Sequence, residues 1–360
     1  MHKTPKSVLA LATVFSMNVG CVISAVSGKD RILAGHTVDV KVVAFSPDGK
    51  TLASAGYSVD TGNERTGEIK LWDVVSGRER TTIKGHNGVV FVTFSPDGKT
   101  LVTGGSHIIN DKNEARVINE LKLWDVIAGE ERATFQGQPE SVFSISFAFS
   151  PGGKLLALGS GDGVRVWDVA SQAQSLFARG EAITVLAFSP DSKVLAAGSS
   201  RAGLHEPGKL PELWEVKLLD PATGKEMASF KGSGDEAHLV SLAFSSDGKI
   251  LAGGNADGSI LLWNLTTKKE KAILKQGNYA MRRINSVAFS PNGRILASCD
   301  GRGVIKLWNA DTGQERASVK QEGEWINSLA FSPNGKTLAS GSSAKTIRLW
   351  DVADILEHKQ

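Results

Sequence analysis

The chain has 360 residues, with 41 Lys and Arg against 38 Asp and Glu and a formal charge of +3. The charges are interspersed, with no basic run or Arg-rich stripe, which excludes a nucleic-acid surface of the usual kind. Two cysteines exclude a disulfide framework, and seven histidines without ligand spacing exclude a metal-built fold. No cofactor is expected.

His2, Lys3 and Lys6 precede an uncharged run from Ser7 to Val26 with small residues at its end. A basic start and an apolar middle predict an export signal or membrane anchor over residues 1–27. Asn18-Val19-Gly20-Cys21 faintly resembles a bacterial lipoprotein processing site. The alternative for this stretch is an extra strand or tail on a cytoplasmic protein.

From residue 28 one phrase governs the chain. An apolar run closing on Phe-Ser-Pro-Asp-Gly-Lys, or a near copy, recurs at Phe45, Phe94, Phe149, Phe188, Phe244, Phe289 and Phe331. A recurrence on this scale marks a repeat architecture whose units cover one another. Each unit predicts a strand into the phrase, a Pro-Gly turn, a second strand, a turn, and a third strand. The third strands are nearly identical: Ile69 to Asp73, Leu121 to Asp125, Val164 to Asp168, Ile260 to Asn264, Ile305 to Asn309 and Ile347 to Asp351. A fourth strand such as Glu79 to Ile83 follows in most copies. The third-strand tryptophans are Trp72, Trp124, Trp167, Trp263, Trp308 and Trp350. In the fourth copy the frame Val216-Lys217-Leu218-Leu219-Asp220 puts Leu219 in that place and leaves Trp214 to an insertion.

These residues, with Gly35-His36 and Gly85-His86, resemble the WD40 repeat family, in a bacterial type of protein, over residues 29 to 352. The resemblance implies an all-β, seven-bladed propeller of four-stranded antiparallel blades. The last copy lacks a fourth strand, whereas residues 28 to 36 match the stretch 77 to 86, so residues 29 to 34 are expected to close the ring. The domain then spans 28–352, with 353–360 a short tail. The resemblance also implies blade braces of His36, Ser54 and Trp72 and of His86, Thr103 and Trp124, with no turn Asp evident in either. Asp162 and Asp257 fill the turn position in the third and fifth copies. These are structural candidates, and Ser, His and Asp recur as repeat features rather than as one nucleophile site. Cys299, in a second strand, is expected to be a buried free thiol.

The copies differ mainly between the second and third strands. Leu52 to Trp72, Leu101 to Trp124 and Leu195 to Leu219 are long intervals, while the other four copies are short there. In a propeller these insertions and the connections between blades share one face, the usual place for binding. Tyr57, His107, His205, Trp214, Tyr279, Arg282, Arg283, Glu324 and Trp325 fall on it as candidate partner contacts. The expectation is a monomeric, non-enzymatic platform for a protein or peptide, exported or membrane-associated. The alternative is an enzyme or small-molecule protein with its site in the central channel.

Overall fold

The computed structural model describes residues 30–59, 65–84, 88–111, 114–136, 146–179, 182–200, 213–233, 238–276, 283–321 and 323–357. Seven four-stranded sheets follow one another in chain order, every strand antiparallel to its neighbour. Within each blade the strands are numbered outward from the channel. The connections from second to third strand, and from fourth strand to the next blade, lie on one face, termed upper. The remaining turns lie on the lower face. Each blade leaves an apolar face that the next one covers, so seven buried clusters alternate around the ring. One of them joins Leu52 and Trp72 of the first blade to Ala339, Ile347 and Leu349 of the last.

The repeated phrase folds as a self-contained turn. In the first blade Ser46 Oγ donates to Asp48 Oδ1 at 2.6 Å, and the amides of Lys50 and Thr51 donate to Asp48 and Ser46. Gly49 takes φ +69, which a Cβ would strain, and packs on Pro333 of the last blade. Gly98 on Pro47, Gly153 on Pro96, Gly248 on Pro190 and Gly335 on Pro291 repeat that contact. The lower turns thus form a belt.

Closure follows the expected route. Arg31–Ala34 pairs antiparallel with Thr346–Asp351, Arg31 opposite Leu349 and Ala34 opposite Thr346. Leu33 is buried against Ile347 and Leu349. Asp30 and Arg348 pair at 3.0 Å with side chains only 6% and 7% exposed. They occupy the places of Glu79 and Lys70 in the first blade, which pair at 2.9 Å. Burial pushes the Asp30 carboxyl above its ordinary range in spite of Arg348. Such a pair adds little net stability, but it penalises any arrangement that leaves one charge alone. Nearer the channel, Asn327 Nδ2 donates to Val40 O at 2.8 Å and the Val43 amide donates to Ser328 Oγ at 3.2 Å. The same stitch joins Ser286 to Leu329 and Ser241 to Val287. Between blades two and three, Phe91 against Phe147 at 5.9 Å takes its place.

Two elements differ from expectation. The stretch after Asp351 is a short helix, Val352–Glu357, rather than a plain tail. Asp351 Oδ1 accepts the Ala353 and Asp354 amides, the cap that Asp73 gives to the turn at Ser76. Val352 and Ile355 pack on Ala317 and Val319 of blade six. Six residues carry too little periodicity to read from sequence. The insertions of the first two blades are also not plain loops. Thr51–Val59 pairs with Arg65–Asp73, and Thr100–Asp111 with Glu114–Asp125, as continuous hairpins that lengthen the blades on the upper face.

Candidate functional site

The brace of the first blade is complete, through a residue the sequence did not single out. Trp72 Nε1–H donates to Ser54 Oγ at 2.7 Å, and Ser54 lies 2.6 Å from His36 Nε2. His36 Nδ1 lies 2.6 Å from Glu68 Oε2, which also accepts the Thr37 amide at 3.0 Å. A carboxylate only accepts, so Nδ1 carries the proton and Ser54 donates to Nε2. Glu68 does the work expected of a turn Asp, from the third strand four residues before Trp72. That spacing recurs as Glu120 before Trp124, a signal present in the sequence. The constellation of Ser, His and Glu is spatially that of a nucleophile triad, yet Ser54 and His36 are buried and the hydroxyl is engaged by Trp72. It is a brace.

The other blades vary the brace. Trp124 donates to Thr103 at 2.7 Å, while His86 lies outside the described residues. In blade six Gln276 replaces the histidine: Ser298 Oγ donates to its Oε1 and Trp308 donates to Ser298 at 2.8 Å. Trp350 donates to Ser340 at 2.8 Å. In the blades of Trp167 and Trp263, Leu158 and Gly253 stand at the strand position where the others have a hydroxyl. Blade four pairs Leu195 with Leu219, as blade one pairs Leu52 with Trp72. Ala197 stands there in the hydroxyl position, so tryptophan and hydroxyl are lost together. Asp162 instead accepts from Ser160 and Arg165, and Asp257 from Ser259, inside their own turns.

Burial, the largest influence, lowers the His36 pKa below its ordinary 6.5. The unfolded chain therefore takes up the proton first as pH falls. The stability this group contributes is full above about pH 6.5 and is lost as pH drops through the folded value. His36→Gln, imitating Gln276, is expected to keep the fold and flatten that slope. Urea titrations at pH 7.5 and 5 test it, and equal slopes for both proteins would refute the assignment.

The candidate contacts separate sharply. Trp325 is 65% exposed, in the connection entering blade seven. Its N–H donates to Ser343 Oγ at 3.0 Å and its carbonyl accepts the Ser343 amide at 2.9 Å. Arg283 is exposed in the preceding connection, and Glu324 is half-buried, its Oε2 accepting from the Gln321 side-chain Nε2. Tyr57 is half-buried in the first hairpin, with Lys41 Nζ 5.8 Å from its ring centre. The His107 backbone pairs with Ile118 in the second hairpin. His205, Tyr279 and Arg282 lie outside the described residues.

Trp214 requires correction. It is 5% exposed and lies in the strand Leu213–Leu219, not in a loop. Its ring meets Trp263 edge-on at 5.6 Å, and Phe230 stacks on Trp263 at 5.4 Å. Room comes from Gly232 and Gly253, where a Cβ would stand 2.1 Å from Trp214 and 2.7 Å from Trp263. The tryptophans are thus seven buried and one exposed.

Cys299 is a fully buried free thiol, its pKa pushed up by desolvation. Three clefts open between neighbouring blades on the lower face, of about 450, 340 and 480 Å³, lined chiefly by the Ser-Pro-Asp turns. Among the described residues no helix is long and apolar enough to cross a membrane.

Fold, closure and braces together define a seven-bladed propeller of the WD type. The family described as "WD domain, G-beta repeat" matches residues 27–73, 77–110, 129–168, 224–264, 274–309 and 313–351, and the chain belongs to the WD40 repeat family. The longest unmatched interval, 169–223, contains the first three strands of blade four, where Leu219 replaces tryptophan. The chain is similar to "Guanine nucleotide-binding protein subunit beta" of Solanum tuberosum, 29% identical over 185 residues, covering 48% of this chain and 44% of that one. A protein of the same name from Nicotiana tabacum is 29% identical over 184 residues, with the same coverage. "WD repeat-containing protein SL1-17" of Schistosoma mansoni is 30% identical over 150 residues, covering 41% of this chain and 44% of that one. The chain thus matches under half the length of each relative. Propellers of this family act characteristically as non-catalytic scaffolds for protein interaction.

Proposed function

We propose that this propeller holds a protein or peptide partner on its upper face and carries no catalytic activity of its own. The observation that carries the reading is Trp325, a large apolar ring left in solvent on a connection whose backbone Ser343 fixes on both sides. An aromatic anchor that is already ordered loses little entropy on contact, and such residues dominate interface energies. The hairpins of blades one and two raise the same face. Two of the three relatives are named as subunits, which is to say as parts of an assembly. Affinity capture from native membranes with mass spectrometry is expected to return a stable partner that Trp325→Ala loses while the melting curve stays unchanged. A partner retained by that variant would refute the role of this face.

The layout of residues 1–27 further supports a propeller exported across, or tethered to, a bacterial membrane. A reporter fused after Gly28 is expected on the extracytoplasmic side, and Cys21→Ser to release the protein if Cys21 is lipidated. A cytoplasmic reporter with an intact amino terminus would defeat the export reading.

A further inference from the structure

Blades six and seven bring four connections together on the upper face, among the described residues: the one ending at Arg283, the turn 300–303, residues 321 and 323–325, and the turn 342–345. Backbone contacts fix their relative places. The Gly301 amide donates to Arg283 O at 3.3 Å, and the Gln321 amide donates to Gly303 O at 2.8 Å. Gly303, at φ +80, approaches the next connection so closely that a Cβ would stand 2.0 Å from Gln321 O and 2.8 Å from Glu324 O. Ser343 then joins that connection to the turn of blade seven through its two bonds to Trp325. Arg283, Arg302, Trp325 and Lys345 thus stand on one continuous, hydrogen-bonded rim.

The described charges on this rim differ in exposure. Arg283, Arg302 and Lys345 are exposed, and among the described residues none of them is in an ion pair. Two acids among the described residues here are partnered within the fold. Asp300 is fully buried, its Oδ1 accepting the Arg302 and Val304 amides at 2.9 and 3.0 Å. Glu324 is half-buried and held by Gln321. The outcome is an exposed indole flanked by three uncommitted positive charges.

We infer that this rim takes an acidic segment of a partner protein, with an apolar or aromatic residue against Trp325 and carboxylates at Arg283, Arg302 and Lys345. The inference rests on the platform reading and names the chemistry of the partner. Arginine binds a carboxylate with two parallel hydrogen bonds, and opposite charges across an interface set register and speed encounter. An anionic lipid surface would also meet cations beside a tryptophan. Membrane attachment of that kind draws on several apolar side chains dipping together. Among the exposed large apolar side chains of the described residues, Trp325 alone stands in an upper-face connection; Val75 and Ile127 lie in lower turns and Ile32, Met227 and Ile273 on outer strands. The geometry favours a peptide.

The test uses the full chain and two synthetic peptides of equal length. One places Phe and Leu among Asp and Glu, and the other has Lys at every acidic position. Fluorescence anisotropy at low and physiological salt is read for both, beside sedimentation with phosphatidylcholine vesicles containing phosphatidylserine. The acidic peptide is expected to bind and to weaken with salt. Trp325→Ala should raise its Kd about tenfold or more. Arg283→Glu, Arg302→Glu and Lys345→Glu should each raise it several-fold, while Lys336→Glu, on the lower face, leaves it unchanged. Equal binding of the Lys peptide, indifference to these four variants, or vesicle binding without peptide binding would overturn the inference. Capture of a protein partner that depends on Trp325, without affinity for the acidic peptide, would overturn it and leave the platform reading standing.

Discussion

Deleting Asp30 to Ala34 is expected to replace the single cooperative melting transition with a broad one at much lower temperature. The deletion removes the outer strand of blade seven and with it four ladder pairs to Thr346–Asp351. It uncovers the cluster in which Leu33 packs on Ile347 and Leu349, and burying one such side chain is worth about 1.5–3 kcal/mol. It also strands Arg348 beside the Trp350 ring, 4.0 Å from its centre, without its carboxylate. Breaking a buried pair in this way costs about 3–5 kcal/mol. Against a typical total of about 5–15 kcal/mol, these losses take most of the stability. Calorimetry would show it directly, and an unchanged endotherm would mean that the ring does not depend on this strand.

A finer experiment separates the latch from the ladder. Asp30→Ala and Arg348→Met should each destabilise the ring, but the double variant should lose less than the sum, because the lone buried charge is gone from both ends. Additive losses would show that the pair does not couple. The inner stitches from Asn327 and Ser328 to blade one remain in every variant. They are why the first and last blades are expected to stay in contact even when closure at the rim fails.

Much of this was open to reading in the sequence, for a physical reason: a repeat states its rule seven times. The Ser-Pro-Asp-Gly turn, the third-strand frame and the match between residues 28–36 and 77–86 each carry enough repetition to fix strand, register and closure. What occurs once is harder. Glu68, whose spacing has only Glu120 as a sister, is hard to place because the resemblance puts the acid of the brace in a turn, whereas the lengthened hairpin Thr51–Val59 with Arg65–Asp73 moves it into a strand. The helix Val352–Glu357 stands where every other blade has a turn, so no sister copy announces it. At the rim the difficulty is of another kind. Exposure of Trp325 depends on the connections of two blades meeting in space, and no local pattern encodes that. The cysteine was legible because a second strand is buried on both faces in any propeller.

Trp214 gives the sharpest expected contrast among the tryptophans. Read by position it belonged to an insertion, yet Trp214-Glu215-Val216-Lys217-Leu218 alternates apolar and polar residues as a strand with one buried face does. The burial follows that alternation, with Trp214, Val216 and Leu218 buried and Glu215 and Lys217 half-buried. Blade four therefore loses its tryptophan at Leu219 and gains another five residues earlier, which fills the contact with blade five through Trp263 and Phe230. Trp214→Ala is expected to cost about 3–5 kcal/mol, as truncating a buried aromatic does, and Trp167→Ala a similar amount. Trp325→Ala should stay within about 0.5 kcal/mol, the range of exposed substitutions. Guanidinium denaturation followed by far-ultraviolet circular dichroism reads all three. A Trp214 variant as stable as the Trp325 variant would place that ring at the surface after all, and would return it to the upper face as a contact.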